Sequence, residues 1–341
     1  MADHKTVEKS SVEEQPWRPS VFVTRPLPPA VMEALESDFE LVCNPEDRVL
    51  TREELLSGVK GRDAVLSLLT DRIDAEVMDA AGPGLRIIAN YAVGYDNIDL
   101  EAATERKIAV SNTPGVLTET TADLAMGMIL AVARRIVEGD SFVRAGRFRG
   151  WGPLLYLGAD IHGKTLGLIG LGRIGRAVAK RAAGFDMRIL YCKRTRADSA
   201  VEEELNVRYA TKEELLRESD FVSLHVPSTP DTFHFIGQAE FDLMKPSAFI
   251  INTARGEVID EAALVGALKD KRIAGAALDV FENEPEIHPG LIEMPNVILL
   301  PHVGSGTIET RTRMGLVDHE NLKAFFQGKV PPNCLNPQVF G

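Results

Sequence analysis

A guanidinium, a carboxylate and an imidazole stand just past three apolar runs in the second half of the chain. Arg255 follows residues 248–252, Glu284 follows 275–280, and His302 follows 297–300. If those runs are parallel strands, the three side chains meet on one rim, because ligands of open α/β sheets bind beyond the carboxyl ends of the strands. The set suits reduction of a carbonyl that sits next to a carboxylate. An arginine forks onto the carboxylate and polarises the carbonyl. A histidine gives a proton to the carbonyl oxygen as a hydride reaches the carbon. A neighbouring acid keeps that imidazole protonated and oriented. Alternatives stand open at this point. His225 lies near another strand end and rivals His302 as the acid, and Asp279 rivals Glu284 as its partner. Arg255 also suits a plain ion pair, and Glu284, just before Pro285, a solvated turn.

The hydride needs a carrier, and residues 170–175 point to one. They comprise Gly170, Leu171, Gly172, Arg173, Ile174 and Gly175, a G-x-G-x-x-G that follows an apolar strand (166–169) and opens a helix expected over 176–183. Gly170 allows the tight turn, Gly172 lets a pyrophosphate approach the backbone, and Gly175 lets helix and strand pack closely. Helix N-terminal N–H groups then face the anion. The next strand, 188–192, ends where an acid would bind the adenosine ribose of NAD. The residues there are instead Lys193, Arg194, Thr195 and Arg196. Arginine pairs with a 2′-phosphate that a carboxylate would repel, so this cluster predicts NADP(H) rather than NAD(H). Its blander reading is a solvated basic loop.

Elements that must position these groups are legible as strand–helix alternation. Short apolar strands are expected at 21–24, 40–43, 64–69, 86–91 and 108–111, with helices between them, three opened by the capping types Thr51, Asp74 and Asp99. Residues 118–145 read as one long helix, apolar all round over 124–133 and therefore buried on more than one face. Six further strands follow, at 166–170, 188–192, 221–226, 248–252, 275–280 and 297–300, and a last helix at 308–327 ends at Gly328. The fold class is α/β, with the second block a doubly wound dinucleotide-binding (Rossmann) domain.

Composition excludes several other classes. The 341 residues carry 38 Lys+Arg against 50 Asp+Glu, a net charge of −12, which argues against nucleic acid or an anionic membrane as partner. An anionic ligand then needs a local basic cluster such as 193–196. The ten-residue run 124–133 is far short of the roughly 20 residues that span a bilayer. Cys43, Cys192 and Cys334 fit no metal or redox spacing and suit a reducing, cytoplasmic setting. Residues 1–19 mix charged and small residues and are expected to be a poorly ordered tail.

Five stretches resemble one family. They are 90–99 (NYAVGYDNID), 162–175 (HGKTLGLIGLGRIG), 252–256 (NTARG), 277–285 (ALDVFENEP) and 301–306 (PHVGSG). They resemble the D-isomer-specific 2-hydroxyacid dehydrogenases, and the likeness runs from about Val21 to Pro332. Within that family the chain is most similar to glyoxylate/hydroxypyruvate reductases, whose NADP-reading segment residues 188–196 resemble. The resemblance implies His302 as proton donor, Glu284 as its partner and Arg255 as carboxylate binder. It implies that backbone N–H groups around Val93 and Gly94 hold the substrate carboxylate while Leu69 lines the pocket. Gly172, Arg173, Ile174 and Gly175 would hold the pyrophosphate, and Arg194, Thr195 and Arg196 the 2′-phosphate, with Lys193 at the usual acid position. Val226 and Pro227 would flank the adenine, Thr253 and Asp279 would lie near the nicotinamide, and Ala254 and Gly304 also count among the cofactor-facing positions. The implied architecture is two domains: a flavodoxin-like substrate domain (20–117 plus 306–332) and the Rossmann domain (118–305), with a cleft that closes between them. A homodimer through the long helix is implied too.

The function expected from all this is NADPH-dependent reduction of glyoxylate to glycolate and of hydroxypyruvate to D-glycerate. Two rivals remain. One is an NAD-dependent D-2-hydroxyacid dehydrogenase for bulkier acids. The other is a dinucleotide-sensing, corepressor-like binding protein.

Overall fold

The computed structural model describes residues 17–341. They pack as two units, residues 17–113 with Gly315–Gly341, and Pro114–Met314.

The first unit is built on five parallel strands: β1 (Ser20–Val23), β2 (Glu40–Cys43), β3 (Ala64–Ser67), β4 (Ile87–Asn90) and β5 (Ala109–Ser111). Their order is β2-β1-β3-β4-β5, the flavodoxin-like order. The central strands β3 and β4 are buried at every position, as expected of runs such as AVLS and IIAN covered on both faces. One face packs Val65, Ile88 and Val110 against Leu55, Val77 and Ala103 of the crossover helices. Those helices start where their capping residues stand. Thr51 and Glu54 make a reciprocal capping box, and the Asp74 and Asp99 carboxylates accept from Val77 and Ala102 N–H.

The second unit holds seven parallel strands: β6 (Thr165–Ile169), β7 (Arg188–Cys192), β8 (Val207–Tyr209), β9 (Phe221–Leu224), β10 (Phe249–Asn252), β11 (Gly275–Leu278) and β12 (Val297–Leu299). Their order, β12-β11-β10-β9-β6-β7-β8, is the doubly wound pattern with a switch point between β6 and β9. The count is one more than the six expected. Val207–Tyr209 is only three residues long, too short for an apolar run to stand out. Aromatic packing ties neighbouring strands, with Phe221 and Phe249 stacked at 5.5 Å and 13°.

Three other expectations need correction. The helix expected over 118–145 is two helices, Thr118–Ala133 and Ile136–Arg144. Arg135 between them is left-handed (φ 55°), its guanidinium bonded to Glu138 and lying 4.7 Å from the centre of the Tyr156 ring. The first helix buries Ala125, Met128, Ile129 and Val132, whereas the second buries nothing. The helix expected from 176 begins at Arg173, directly after Gly172. Of the expected tail, residues 1–16 lie outside the described residues. Trp17 is placed, edge-on to Phe326 at 6.4 Å, and Arg18 donates to the Phe39 carbonyl. The last helix, Ile308–Phe326, contributes Ile308–Met314 to the second unit and its remainder to the first; the expected domains were 20–117 plus 306–332 and 118–305.

Candidate active site

The catalytic candidates are placed by the ends of β10, β11 and β12. Asp279, the first residue beyond β11, is 1% exposed and acts as a knot. Its N–H donates to Asn252 O, its carbonyl accepts from His302 N–H at 2.9 Å, and its Oδ1 accepts from Val303 N–H at 2.7 Å. This fixes the loop that carries His302, whose backbone is left-handed at φ 55°, a conformation a non-glycine residue holds only when its surroundings impose it. His302 Nδ1 sits 2.8 Å from Glu284 Oε2, and Glu284 Oε1 accepts from Phe281 N–H at 3.0 Å. With Nδ1 facing Glu284, Nε2 is the nitrogen left for a substrate, and the pair is about 30% exposed. Burial raises the Glu284 pKa, but the His302 hydrogen bond and charge, the Phe281 N–H and the nearby Arg255 charge outweigh it, and the carboxyl is held below its ordinary range.

Geometry decides between the alternatives left by the residue types. Asp279 is committed to Val303 and is pushed up by burial, so Glu284 is the acid in contact with the imidazole. His225 bonds Ser223 Oγ through Nε2, and burial pushes it down to about 4. It is neutral at pH 7 and so is not an imidazolium acid. Arg255 is half-buried, and Asn252 Nδ2 holds its carbonyl at 2.8 Å.

The phosphate loop lies at the switch point. Gly170 has φ 101°, and a Cβ there would stand 2.4 Å from the His225 carbonyl; one on Gly175 would stand 2.3 Å from the Gly170 carbonyl. Only glycine fits either position. Gly172 differs, because a Cβ there would meet nothing within 4 Å. Its outward face is open to a ligand, and the helix it caps has no side-chain cap and no acid in its first turn. The amides of Arg173 and Ile174 begin that helix, where an anion is favoured. Two further groups fit a dinucleotide. Thr253 Oγ1 and Asp279 Oδ2 are buried with no hydrogen-bond partner among the described residues, an expensive state unless a ligand or solvent supplies one. Ala254 N–H is taken by Asn252 Oδ1, the Gly304 carbonyl by Thr121 Oγ1, and Val226 packs on Gly170 with Pro227 exposed beyond it.

The basic cluster is divided. Lys193 is half-buried, and Arg194 and Thr195 are exposed. Arg196 is in a two-point ion pair with Glu202, at 2.9 and 2.7 Å, and Tyr191 Oη bonds the same carboxylate. Sequence reading passed over Glu202, although its place six residues after Arg196 in a short helix was the available signal.

The substrate-contact candidates lie in the first unit, after β3 and β4. Asn97 Nδ2 donates to the Leu68 and Asp71 carbonyls, and Asn90 Nδ2 donates to Gly94 O at 2.9 Å and lies 3.2 Å from Asn97 Oδ1. Asn112 Nδ2 holds Val93 O at 2.8 Å. Two loops, one with Leu69 and one with Val93 and Gly94, are thus framed together by three amides that the sequence reading did not single out. Among the described residues, no backbone carbonyl accepts from Val93 or Gly94 N–H, which leaves those donors for an anion.

A cavity of about 350 Å³ lies elsewhere, at the amino ends of β10 to β12, lined by Val132, Arg135, Leu157, Phe249 and Ile298 among others. It is at the opposite end of the strands from the chemistry. Among the described residues no cluster of His, Cys, Asp or Glu could hold a metal, and no helix is long and apolar enough to cross a membrane.

Known proteins resemble this chain. Residues 126–304 match the profile of the D-isomer specific 2-hydroxyacid dehydrogenase, NAD binding domain. The chain is 52% identical to a glyoxylate reductase of Thermococcus gammatolerans over 326 residues, 94% of this chain and 97% of that one. Among solved structures it resembles a glyoxylate reductase from Paecilomyes thermophila (36% identity, TM-score 0.83, covering 95% of this chain and 100% of that one). It equally resembles an NADPH-dependent glyoxylate/hydroxypyruvate reductase from Sinorhizobium meliloti solved with NADP and malonate (36%, TM-score 0.83, 95% and 98%). With both parallel sheets, the glycine loop and the paired imidazole and carboxylate in place, this chain belongs to the D-isomer-specific 2-hydroxyacid dehydrogenase family, with a domain that binds NAD(P).

Proposed function

We propose that the enzyme reduces small 2-oxoacids, glyoxylate to glycolate and hydroxypyruvate to D-glycerate, with NADPH as reductant. The observation that carries this reading is the His302–Glu284 contact at 2.8 Å, which leaves Nε2 to serve an oxygen. When bound, the reduced nicotinamide supplies the hydride. Arg255 pairs with the substrate carboxylate and draws electron density from the adjacent carbonyl. His302 gives its Nε2 proton to that carbonyl oxygen, and Glu284 stabilises the imidazolium until the proton leaves. In the first unit, the Val93 and Gly94 N–H groups are candidate donors for a carboxylate, and Leu69, 37% exposed, is a candidate apolar contact for a small side chain. The names and ligands of the relatives support the substrate class.

NADPH is favoured by Lys193 and Arg194, which face no acid of their own among the described residues, and by the lack of a carboxylate at the end of β7. One observation favours a second reading, in which NADH is also used: Arg196 is already paired with Glu202. A matrix of glyoxylate, hydroxypyruvate, pyruvate and phenylpyruvate against both cofactors tests both. The proposal expects glyoxylate and hydroxypyruvate to lead and NADPH to exceed NADH in kcat/KM by about 10-fold or more. Equal constants for the two cofactors would remove the role given to residues 193–196. Absence of turnover with every oxoacid would point instead to a dinucleotide sensor.

The enzyme is further proposed to be a cytoplasmic homodimer. Three free cysteines suit a reducing compartment. Ile136, Val143, Phe148, Trp151 and Leu154 are all more than half exposed, an apolar string of the kind that a second copy covers. Light scattering tests it: Trp151→Asp with Leu154→Asp is expected to halve the mass.

A further inference from the structure

The turn that carries Glu284 has a second acid whose side chain goes elsewhere. Glu282 Oε1 lies 2.7 Å from His234 Nε2, and its Oε2 accepts from Glu261 N–H at 3.4 Å. Glu282 N–H in turn donates to Glu261 Oε1 at 2.9 Å, and Glu261 is only 6% exposed, at the start of the helix Glu261–Lys269. His234 is fixed from its own side. Its backbone is left-handed (φ 48°), its N–H donates to Glu257 O at 2.8 Å, and its ring stacks on Phe233 at 4.0 Å and 17°. Asp260 approaches its Nδ1 at 3.9 Å. One imidazole thus faces the carboxylates of Asp260 and Glu282, with Glu261 behind the latter. The Glu257 side chain turns away to Ser228.

A close backbone contact joins this cluster to the proposed reacting groups. A Cβ on Gly256 would stand 1.9 Å from the Phe281 carbonyl carbon and 2.4 Å from Glu282 N, so Arg255–Gly256 lies flat against Phe281–Glu282. Glu284 is bonded through Oε1 to the same Phe281 N–H. A shift of Glu282 therefore moves the carboxylate behind His302 and the backbone that carries Arg255 together.

We propose that His234 is a positioning residue for the reduction: by clamping Glu282 it sets where Glu284 stands against His302 and where Arg255 stands beside them. This rests on the reading of His302–Glu284 as the proton-donating pair. It has a signature that a merely structural residue lacks. The Asp279 carboxyl also lies near His302, and the Arg255 charge near Glu284; moving Glu284 from His302 makes the imidazolium harder to keep. The alkaline limb of kcat/KM then moves to lower pH.

The test compares His234→Ala and His234→Gln in the full chain, with glyoxylate and NADPH, over pH 5–10. His234→Ala is expected to lower kcat about 10-fold, move the alkaline limb down by about half a pH unit or more, and leave the NADPH KM within about two-fold. His234→Gln, whose amide still donates to Glu282, is expected to stay within about three-fold of the parent in kcat with the limb in place. Glu282→Gln keeps the size of the carboxylate and gives the same direction of shift should His234→Ala fail to fold. An unchanged kcat, or a loss of kcat with an unmoved limb in both Ala and Gln variants, overturns the proposal. Full turnover by His302→Ala would instead overturn the underlying reading, so the two failures are distinguishable.

Discussion

The two sheet rims are built on opposite principles. Beyond β10 to β12, three ionisable groups stand together: Arg255, Glu284 and His302. His302 has a strained backbone, and Asp279 and Thr253 have unpartnered buried oxygens nearby. Beyond β3 and β4, the framing groups are neutral amides, Asn90, Asn97 and Asn112, each with its donor nitrogen engaged at 2.8–3.2 Å. On the proposed reading, the first rim holds groups whose protonation and partners change during the reaction. The second holds a fixed frame that presents backbone donors. On that reading, the open polar groups of the first rim serve the reaction and the engaged amides of the second keep its shape.

The largest test of that contrast is His302→Ala, expected to lower kcat by roughly 10²–10⁴-fold with little change in substrate KM; near-parental turnover would show that the ionisable rim is not where the proton comes from. Arg194→Ala with Lys193→Ala comes next, with a loss of about 10- to 100-fold in kcat/KM for NADPH and far less for NADH, as expected for charge-assisted bonds to a phosphate. If both cofactors fall equally, the cluster matters only for folding.

The neutral rim should respond differently. Asn97→Ala removes donors to Leu68 and Asp71 and is expected to raise substrate KM about 5- to 10-fold, while the pH profile keeps its shape. A shifted limb in this variant would erase the distinction between the rims. Glu284→Gln provides the converse: the acceptor stays, the charge goes, and the alkaline limb of kcat/KM moves to lower pH.

The smallest effect is on stability and concerns a buried acid that takes no part in either rim. Asp318, in the last helix, is fully buried with both carboxyl oxygens unpartnered among the described residues, and burial holds its pKa well above the ordinary value. Below about pH 4 it is protonated both folded and unfolded and costs nothing. As pH rises further the unfolded chain gains by ionising while the folded one does not, so stability falls until the folded group also titrates. Asp318→Asn is expected to raise Tm by about 2–4 °C at pH 7 and to leave it unchanged at pH 4. Equal gains at both values would mean that ionisation is not the cause.

Local chemistry made most of this legible in advance. The strands, the helix starts at Thr51, Asp74 and Asp99, and the glycine loop follow from apolar periodicity, caps and a backbone that only Gly170 and Gly175 permit. Those are nearest-neighbour effects, written in consecutive residues. The break at Arg135 was hidden because nothing in residues 134–136 disfavours a helix; it depends on Glu138 and on Tyr156, twenty-one residues away in the sequence. The rivalry of Glu284 with Asp279, and of His302 with His225, was also beyond the sequence. Each pair has the same functional group, carboxylate or imidazole, near a strand end. Only packing could decide which carboxylate reaches the imidazole and which histidine burial keeps neutral, because desolvation and a 2.8 Å contact are properties of space rather than of order along the chain. The residue types and their strand-end positions were therefore the sequence's own, while the pairing of Glu284 with His302, the capture of Arg196 by Glu202 and the clamp of His234 on Glu282 were decided by the fold, which alone sets distances between residues 6 to 48 positions apart.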